Sequence, residues 1–127
     1  MRDLSRVRRV VVKIGSSSIT HENGRLALRK IDLLAKELAD LHNSGRDVIL
    51  VSSGAIAAGV SALRLRQKPQ KTAQKQAAAA VGQGALMQLY EKFFLEYRQS
   101  IAQILLTKDV MDDPCQRENA INTFAQL

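Results

Sequence analysis

The stretch Val10-Val11-Val12-Lys13-Ile14-Gly15-Ser16-Ser17-Ser18 constrains this chain more than any other. Its β-branched residues run together without alternation, which suits a strand buried on both faces, as in a parallel α/β sheet. The run then meets a glycine and three small hydroxyl side chains. Gly15 admits backbone angles closed to other residues, so the chain is expected to turn sharply there and present N–H groups. With Lys13 beside it, such a turn suits phosphate oxygens.

The rest of the chain alternates strand and helix. After a first strand over about residues 9–14, a polar break containing Asn23-Gly24 leads to a helix from about Ala27 to Asn43. Ile31, Leu34, Ala35, Leu38 and Leu41 fall at three- and four-residue spacings on one face of that helix. Asn43-Ser44-Gly45 stops it, with Gly45 as a left-handed cap. Val48–Val51 predicts a second buried strand, which ends in Ser52-Ser53-Gly54 and opens a helix at Ala55. Beyond a basic loop around Pro69, an alanine-rich helix is expected from about Ala73 to Tyr97, with Gly82 and Gly84 as the places where it can break. Residues 101–106 predict a third strand closing at Thr107-Lys108-Asp109, and Asp112-Asp113-Pro114 caps a last helix. Strand, helix, strand, helix, strand implies an α/β fold with a right-handed, doubly wound parallel sheet.

Composition narrows the classes. One cysteine, Cys115, rules out an internal disulfide and fits a reducing cytoplasm. No apolar run approaches the roughly 20 residues that span a bilayer, and Val10–Ile14 is too short for a signal-peptide core. The expectation is a soluble cytoplasmic protein without membrane contact. The formal charge is +7, from 19 Lys+Arg against 12 Asp+Glu. The excess gathers in Arg2, Arg6, Arg8 and Arg9, and again in Arg64, Arg66, Lys68, Lys71 and Lys75. A nucleic-acid or assembly module is therefore an open reading. No Tyr, Phe or Trp lies between Met1 and Leu89 to stack bases, so a solvated loop is the better one and no nucleic-acid partner is expected.

Ligands of such sheets bind beyond the carboxyl ends of the strands. The first two strands both end there in glycine and serine, and the second leads straight into a helix N-terminus, which favours anions. The pattern points to two anion sites with one lysine, as phosphoryl transfer to an acid requires. Other chemistries lack their residues. No Gly-x-x-x-x-Gly-Lys-[Ser/Thr] occurs, and the third glycine expected after Gly82-Gln83-Gly84 is replaced by Met87. His21 and His42 have no ligand-spaced partners, so no metal ligand is expected from the protein. Val51-Ser52-Ser53-Gly54 lacks the glycine of a nucleophile elbow.

Four blocks carry a family resemblance: Val12–Ser17, Val51–Gly59, Ala79–Gln83 and Gln103–Thr107. In this order they resemble the glutamate 5-kinases of the amino-acid-kinase family, and Ser-Ser-Gly-Ala-Ile-Ala-Ala-Gly is the most specific of them. Asn119 and Thr123 also match the family's pattern. The resemblance implies a three-layer sandwich and the ATP-dependent phosphorylation of the γ-carboxylate of L-glutamate in proline biosynthesis. It assigns Lys13, as the catalytic cation, with Gly15 and Ser16 to the ATP phosphates. Ser53, Gly54 and Ala55 fall to glutamate. Mg²⁺ is implied as the ion bridging nucleotide oxygens, proline as a feedback inhibitor, and a homo-oligomer as the assembly.

The family continues into an Asn/Asp-rich substrate segment, a nucleotide-binding half and, in many bacterial members, a PUA domain. None of these is in residues 1–127, so the chain is expected to be the N-terminal portion of a kinase domain, inactive alone. The kinase part of a bifunctional pyrroline-carboxylate synthase, or another acid kinase, shares the pattern. Leu86, Leu89, Tyr90, Phe93 and Phe94 form an apolar face open to either core or interface.

Overall fold

The computed structural model describes residues 5–127, which leaves Arg2 of the first basic cluster outside the described residues. The elements are β1 (Arg9–Ile14), a 3₁₀ turn (Ser16–Ser18), α1 (Leu28–Asn43), β2 (Asp47–Ser52), α2 (Ala55–Ala62), α3 (Thr72–Glu96), α4 (Lys108–Asp112) and α5 (Pro114–Gln126).

α1 follows its apolar stripe. Ile31, Ala35, Leu38 and Ala39 are buried, Leu34 and Leu41 pack beside them, and Leu33, off the stripe, is 57% exposed. Full burial of a side chain such as Ile31 contributes about 1.5–3 kcal/mol, which is how a 16-residue helix is held in place. Gly45, at φ +87°, ends the helix as expected and donates its N–H to the His42 carbonyl at 2.9 Å.

β1 and β2 pair in parallel, from Arg9 opposite Asp47 to Ile14 opposite Ser52. Among the described residues they form a two-stranded sheet, whose burial corrects the expectation of strands covered on both faces. Val12, Ile14, Val48 and Leu50 pack on the core of Ile19, Ile31, Leu38, Leu86, Tyr90 and Phe94. Val11 and Val51 are 59% and 47% exposed. The helical core lies against one face only, and successive side chains of a strand point to opposite faces. The unbroken apolar run therefore splits into a buried and an open row. A doubly wound sheet needs helices on both faces, and here one face carries them.

The third strand is the second correction. Among the described residues, 101–107 pair with no strand, because β propensity supplies no partner for the backbone, and β1 and β2 bond only each other. Ile101 still packs against the core, while Leu105 and Leu106 are 68% and 47% exposed. A short helix not foreseen from sequence, α4, follows, with the Thr107 hydroxyl capping it. α5 begins as expected, with Asp113 accepting from the Gln116 N–H at 2.8 Å and Pro114 in the first turn.

α3 runs unbroken for 25 residues. Gly82 does not interrupt it. Instead it admits α2: a Cβ on Gly82 would overlap the Ala55 carbonyl and the Gly59 nitrogen, and one on Gly59 would overlap the Ala78 carbonyl. Two backbones meet there, and only glycine leaves the room. The apolar face of α3 goes to the core: Leu86, Tyr90 and Phe94 are buried, and Leu89 and Phe93 pack against them. That face carries no argument for an oligomer.

Candidate functional site

The turn after β1 and the turn after β2 lie side by side on one rim of the sheet. Ile14 and Ser52 are register partners at the strand ends. The Ser53 hydroxyl and backbone N–H both donate to the Ile14 carbonyl, at 3.2 and 3.4 Å. A Cβ built on Gly54 would stand 2.7 Å from Ile19 Cδ1 and 4.0 Å from Ser16 Cα, so the second turn rests directly on the first.

The residue that needs glycine here is Gly54 rather than Gly15. Gly15 has φ −88° and ψ 166°, extended backbone open to any residue, and the bend comes from the 3₁₀ turn that follows it. Gly54 has φ +123°, where a side chain is strained, and it begins α2 by accepting the Ala58 N–H at 2.9 Å. The expectation of a glycine-dependent turn thus moves from β1 to β2.

Both turns are short of acceptors. The first N–H groups of a helix have no partner inside it, and neither the 3₁₀ turn nor α2 has a side-chain N-cap. Segments 10–20 and 48–62 contain no acid, and their only charged side chain is Lys13. Lys13 is exposed on the open face of the sheet, opposite Val51 in register, and makes no hydrogen bond or ion pair among the described residues. The rim offers amide donors and one ammonium group without a local counter-charge, an arrangement suited to anions.

Two hydroxyls support the second turn from behind. Ser52 Oγ lies 2.6 Å from the Tyr90 hydroxyl and donates to the Ser53 carbonyl at 3.2 Å. Burial pushes the Tyr90 phenol above its ordinary pKa of 10.0, with the Ser52 bond opposing in part. Beside the first turn, Ser17, Thr20, His21, Glu22, Asn23 and Lys30 line an open depression. Its floor is a hairpin in which Gly24 donates to the His21 carbonyl at 2.9 Å and Lys30 reaches the Thr20 carbonyl at 3.4 Å. Among the described residues no three His, Cys, Asp or Glu side chains gather as a metal site, and no helix is long and apolar enough to cross a membrane.

Residues 8–127 match the amino acid kinase family. The chain belongs to that family. It is 56% identical over 124 residues to glutamate 5-kinase of Clostridium tetani, covering 98% of this chain and 46% of that protein. Identity to glutamate 5-kinase of Enterococcus faecalis is 48% over 124 residues, covering 98% of this chain and 46% of that protein. With glutamate 5-kinase of Moorella thermoacetica it is also 48% over 124 residues, covering 98% of this chain and 33% of the relative. The chain therefore spans at most about half the length of these relatives.

Within this amino acid kinase chain, Gly15, Ser16, Ser53, Gly54 and Ala55 come together on the rim, with Lys13 beside them on the open face. Asn119 and Thr123 do not join them through any contact seen here: both lie in α5, where the Thr123 hydroxyl is spent on the Asn119 carbonyl at 2.9 Å. Tyr90 is the residue the sequence reading passed over as a site element. Its signal was there, a hydroxyl set in an otherwise apolar stripe, since a buried phenol needs a partner.

Proposed function

We propose that this chain provides the acceptor turn and one wall of the phosphate site of an ATP-dependent kinase acting on the γ-carboxylate of L-glutamate, the first step of proline biosynthesis. The observation that carries the reading is the contact of the two turns through Ser53, Ile14 and Gly54. It sets two anion-ready groups of amides next to each other, as transfer between two anions demands.

Lys13 with the Gly15 and Ser16 amides holds the ATP phosphates in this reading. The Gly54 and Ala55 amides hold the acidic side chain of glutamate, and Ser53 joins them when its hydroxyl turns away from the Ile14 carbonyl. A γ-carboxylate has a reference pKa of about 4.3 and is ionised at neutral pH, so the attacking oxygen needs no general base. The tasks left to the protein are in-line placement of the two anions and stabilisation of charge on the moving phosphoryl group. A carboxylate cage for Mg²⁺ is not assembled by this chain's described residues. Mg²⁺ would be held mainly by the nucleotide oxygens and would neutralise charge on them. Feedback by proline would use the glutamate turn, and the protein would work in the cytoplasm. Assembly into a homo-oligomer would rest on surfaces other than the buried face of α3.

The test is formation of glutamyl phosphate, trapped as the hydroxamate, by the full-length protein that contains this chain. Glutamate should support it, whereas aspartate and carbamate should not. The 127-residue chain alone should form none. Turnover of another acid in preference to glutamate would overturn the substrate, and turnover by the isolated chain would overturn the division of the site.

A further inference from the structure

α3 grips the acceptor turn at both of its ends. At one end, Gly82 admits Ala55 and Gly59 of α2 against the α3 backbone. Eight residues later, about 12 Å along the helix at 1.5 Å per residue, Tyr90 reaches the last residue of β2. Tyr90 is 4% exposed, and its hydroxyl is 2.6 Å from Ser52 Oγ. Ser52 Oγ also reaches the Ser53 carbonyl at 3.2 Å, and either hydroxyl can donate in the Tyr90–Ser52 bond. Ser53 in turn gives its hydroxyl proton to the Ile14 carbonyl. Two hydrogen-bonded links, Tyr90–Ser52–Ser53 carbonyl and Ser53 hydroxyl–Ile14 carbonyl, joined through the Ser53 backbone, thus tie the helix core to the junction of the two turns.

We propose that Tyr90 is a positioning residue for the acceptor: acting through Ser52, it holds the Ser53–Gly54 segment in the one conformation that presents the Gly54 and Ala55 amides to the acceptor carboxylate. This rests on the proposed role of residues 53–55 and extends it to a residue that never touches substrate. Gly54, at φ +123°, needs such a brace, because that region is a broad allowed area for glycine and leaves the turn free to relax. Discrimination follows from the geometry. The brace meets the second turn directly and the first only through Ser53, so its loss falls on the acid rather than on the nucleotide.

Tyr90→Phe keeps the buried ring and removes the hydroxyl, and Ser52→Ala removes the relay. Both are to be made in the full-length protein, singly and together. Each single change should raise KM for glutamate about 5–10-fold, the factor expected for one positioning hydrogen bond, with kcat within about twofold and KM for ATP unchanged. The double variant should be no worse than the worse single variant. A second arm uses no substrate. Amide hydrogen exchange at residues 53–55 should be faster in Tyr90→Phe than in wild type, with α1 amides unchanged. An unchanged KM for glutamate, equal rises in both KM values, additive single effects or unchanged exchange would each overturn the brace. Wild-type protein that does not phosphorylate glutamate would instead sink the functional reading, which separates the two failures.

Discussion

Gly82→Ala and Gly84→Ala make the same chemical change two residues apart in α3 and should have opposite effects. In an isolated helix each would gain about 0.8–1 kcal/mol from propensity alone. Gly84 faces nothing within 4 Å of a new Cβ, so that gain survives and the protein should be stabilised by about 0.5–1 kcal/mol. At Gly82 the new methyl would meet backbone, with the Ala55 carbonyl carbon at 2.8 Å and the carbonyl oxygen and Gly59 nitrogen nearer still. Backbone has no rotamer with which to yield, so α2 and α3 must part. Overpacking of this kind costs about 1–3 kcal/mol or more, and parting also loosens Ala58 and Ala78, each 1% exposed. Because the overlap is with backbone of two residues, the upper end of that range applies, and after the propensity gain of about 1 kcal/mol the net loss is about 2 kcal/mol or more. Thermal denaturation followed by circular dichroism measures both variants, and the midpoints should separate in opposite directions by several degrees. The same sign for both, or a neutral Gly82→Ala, would refute the close helix crossing. Because Ala55 follows directly on Gly54, Gly82→Ala should also weaken acceptor binding in the full-length protein.

Lys13→Ala should lower kcat of the full-length enzyme by about 10²–10³-fold, as loss of a preorganised donor to developing charge does, while leaving the melting curve in place because the side chain is exposed and unpaired; steady-state kinetics with less than a threefold change would remove Lys13 from the phosphate site. Gly54→Ala combines φ +123° with a Cβ 2.7 Å from Ile19 Cδ1 and should cost about 1–3 kcal/mol of stability; an unchanged denaturation midpoint would contradict the turn geometry. Stability should hold up to about pH 10 and fall above it. The Tyr97 phenol is raised above 10.0, first by its hydrogen bond to Asp32 and then by burial, and Tyr90 is raised first by burial. Both therefore bind protons more tightly folded than unfolded, and their contributions are lost as pH rises through the raised values. Denaturation midpoints against pH would check this, and Tyr97→Phe should flatten part of the alkaline decline.

α1 was legible almost to the residue, because Ile31, Ala35 and Leu38 encode their burial by spacing and Gly45 encodes its stop by backbone freedom. The cap of α5 was legible for the same local reason, through Asp113 and Pro114. The candidate site was legible as residue types: Ser53, Gly54 and Lys13 stand at strand ends, where sheets of this kind bind ligands. The error at Gly15 shows the limit of that method, since a glycine permits an unusual backbone angle without requiring one. Gly82 shows the converse. It looked like a flaw in a helix and is the point where a second helix enters.

What the chain's order of residues determined by itself is local: which segments prefer helix, where they start and stop, and which short turns have donors to spare. Those properties depend on neighbours three or four positions away. Whether residues 101–106 pair, which face of Val10–Ile14 is covered, and which group the Tyr90 hydroxyl bonds were decided only in three dimensions. Each depends on a partner distant in the chain, and a hydrogen bond or a close packing contact belongs to two groups at once.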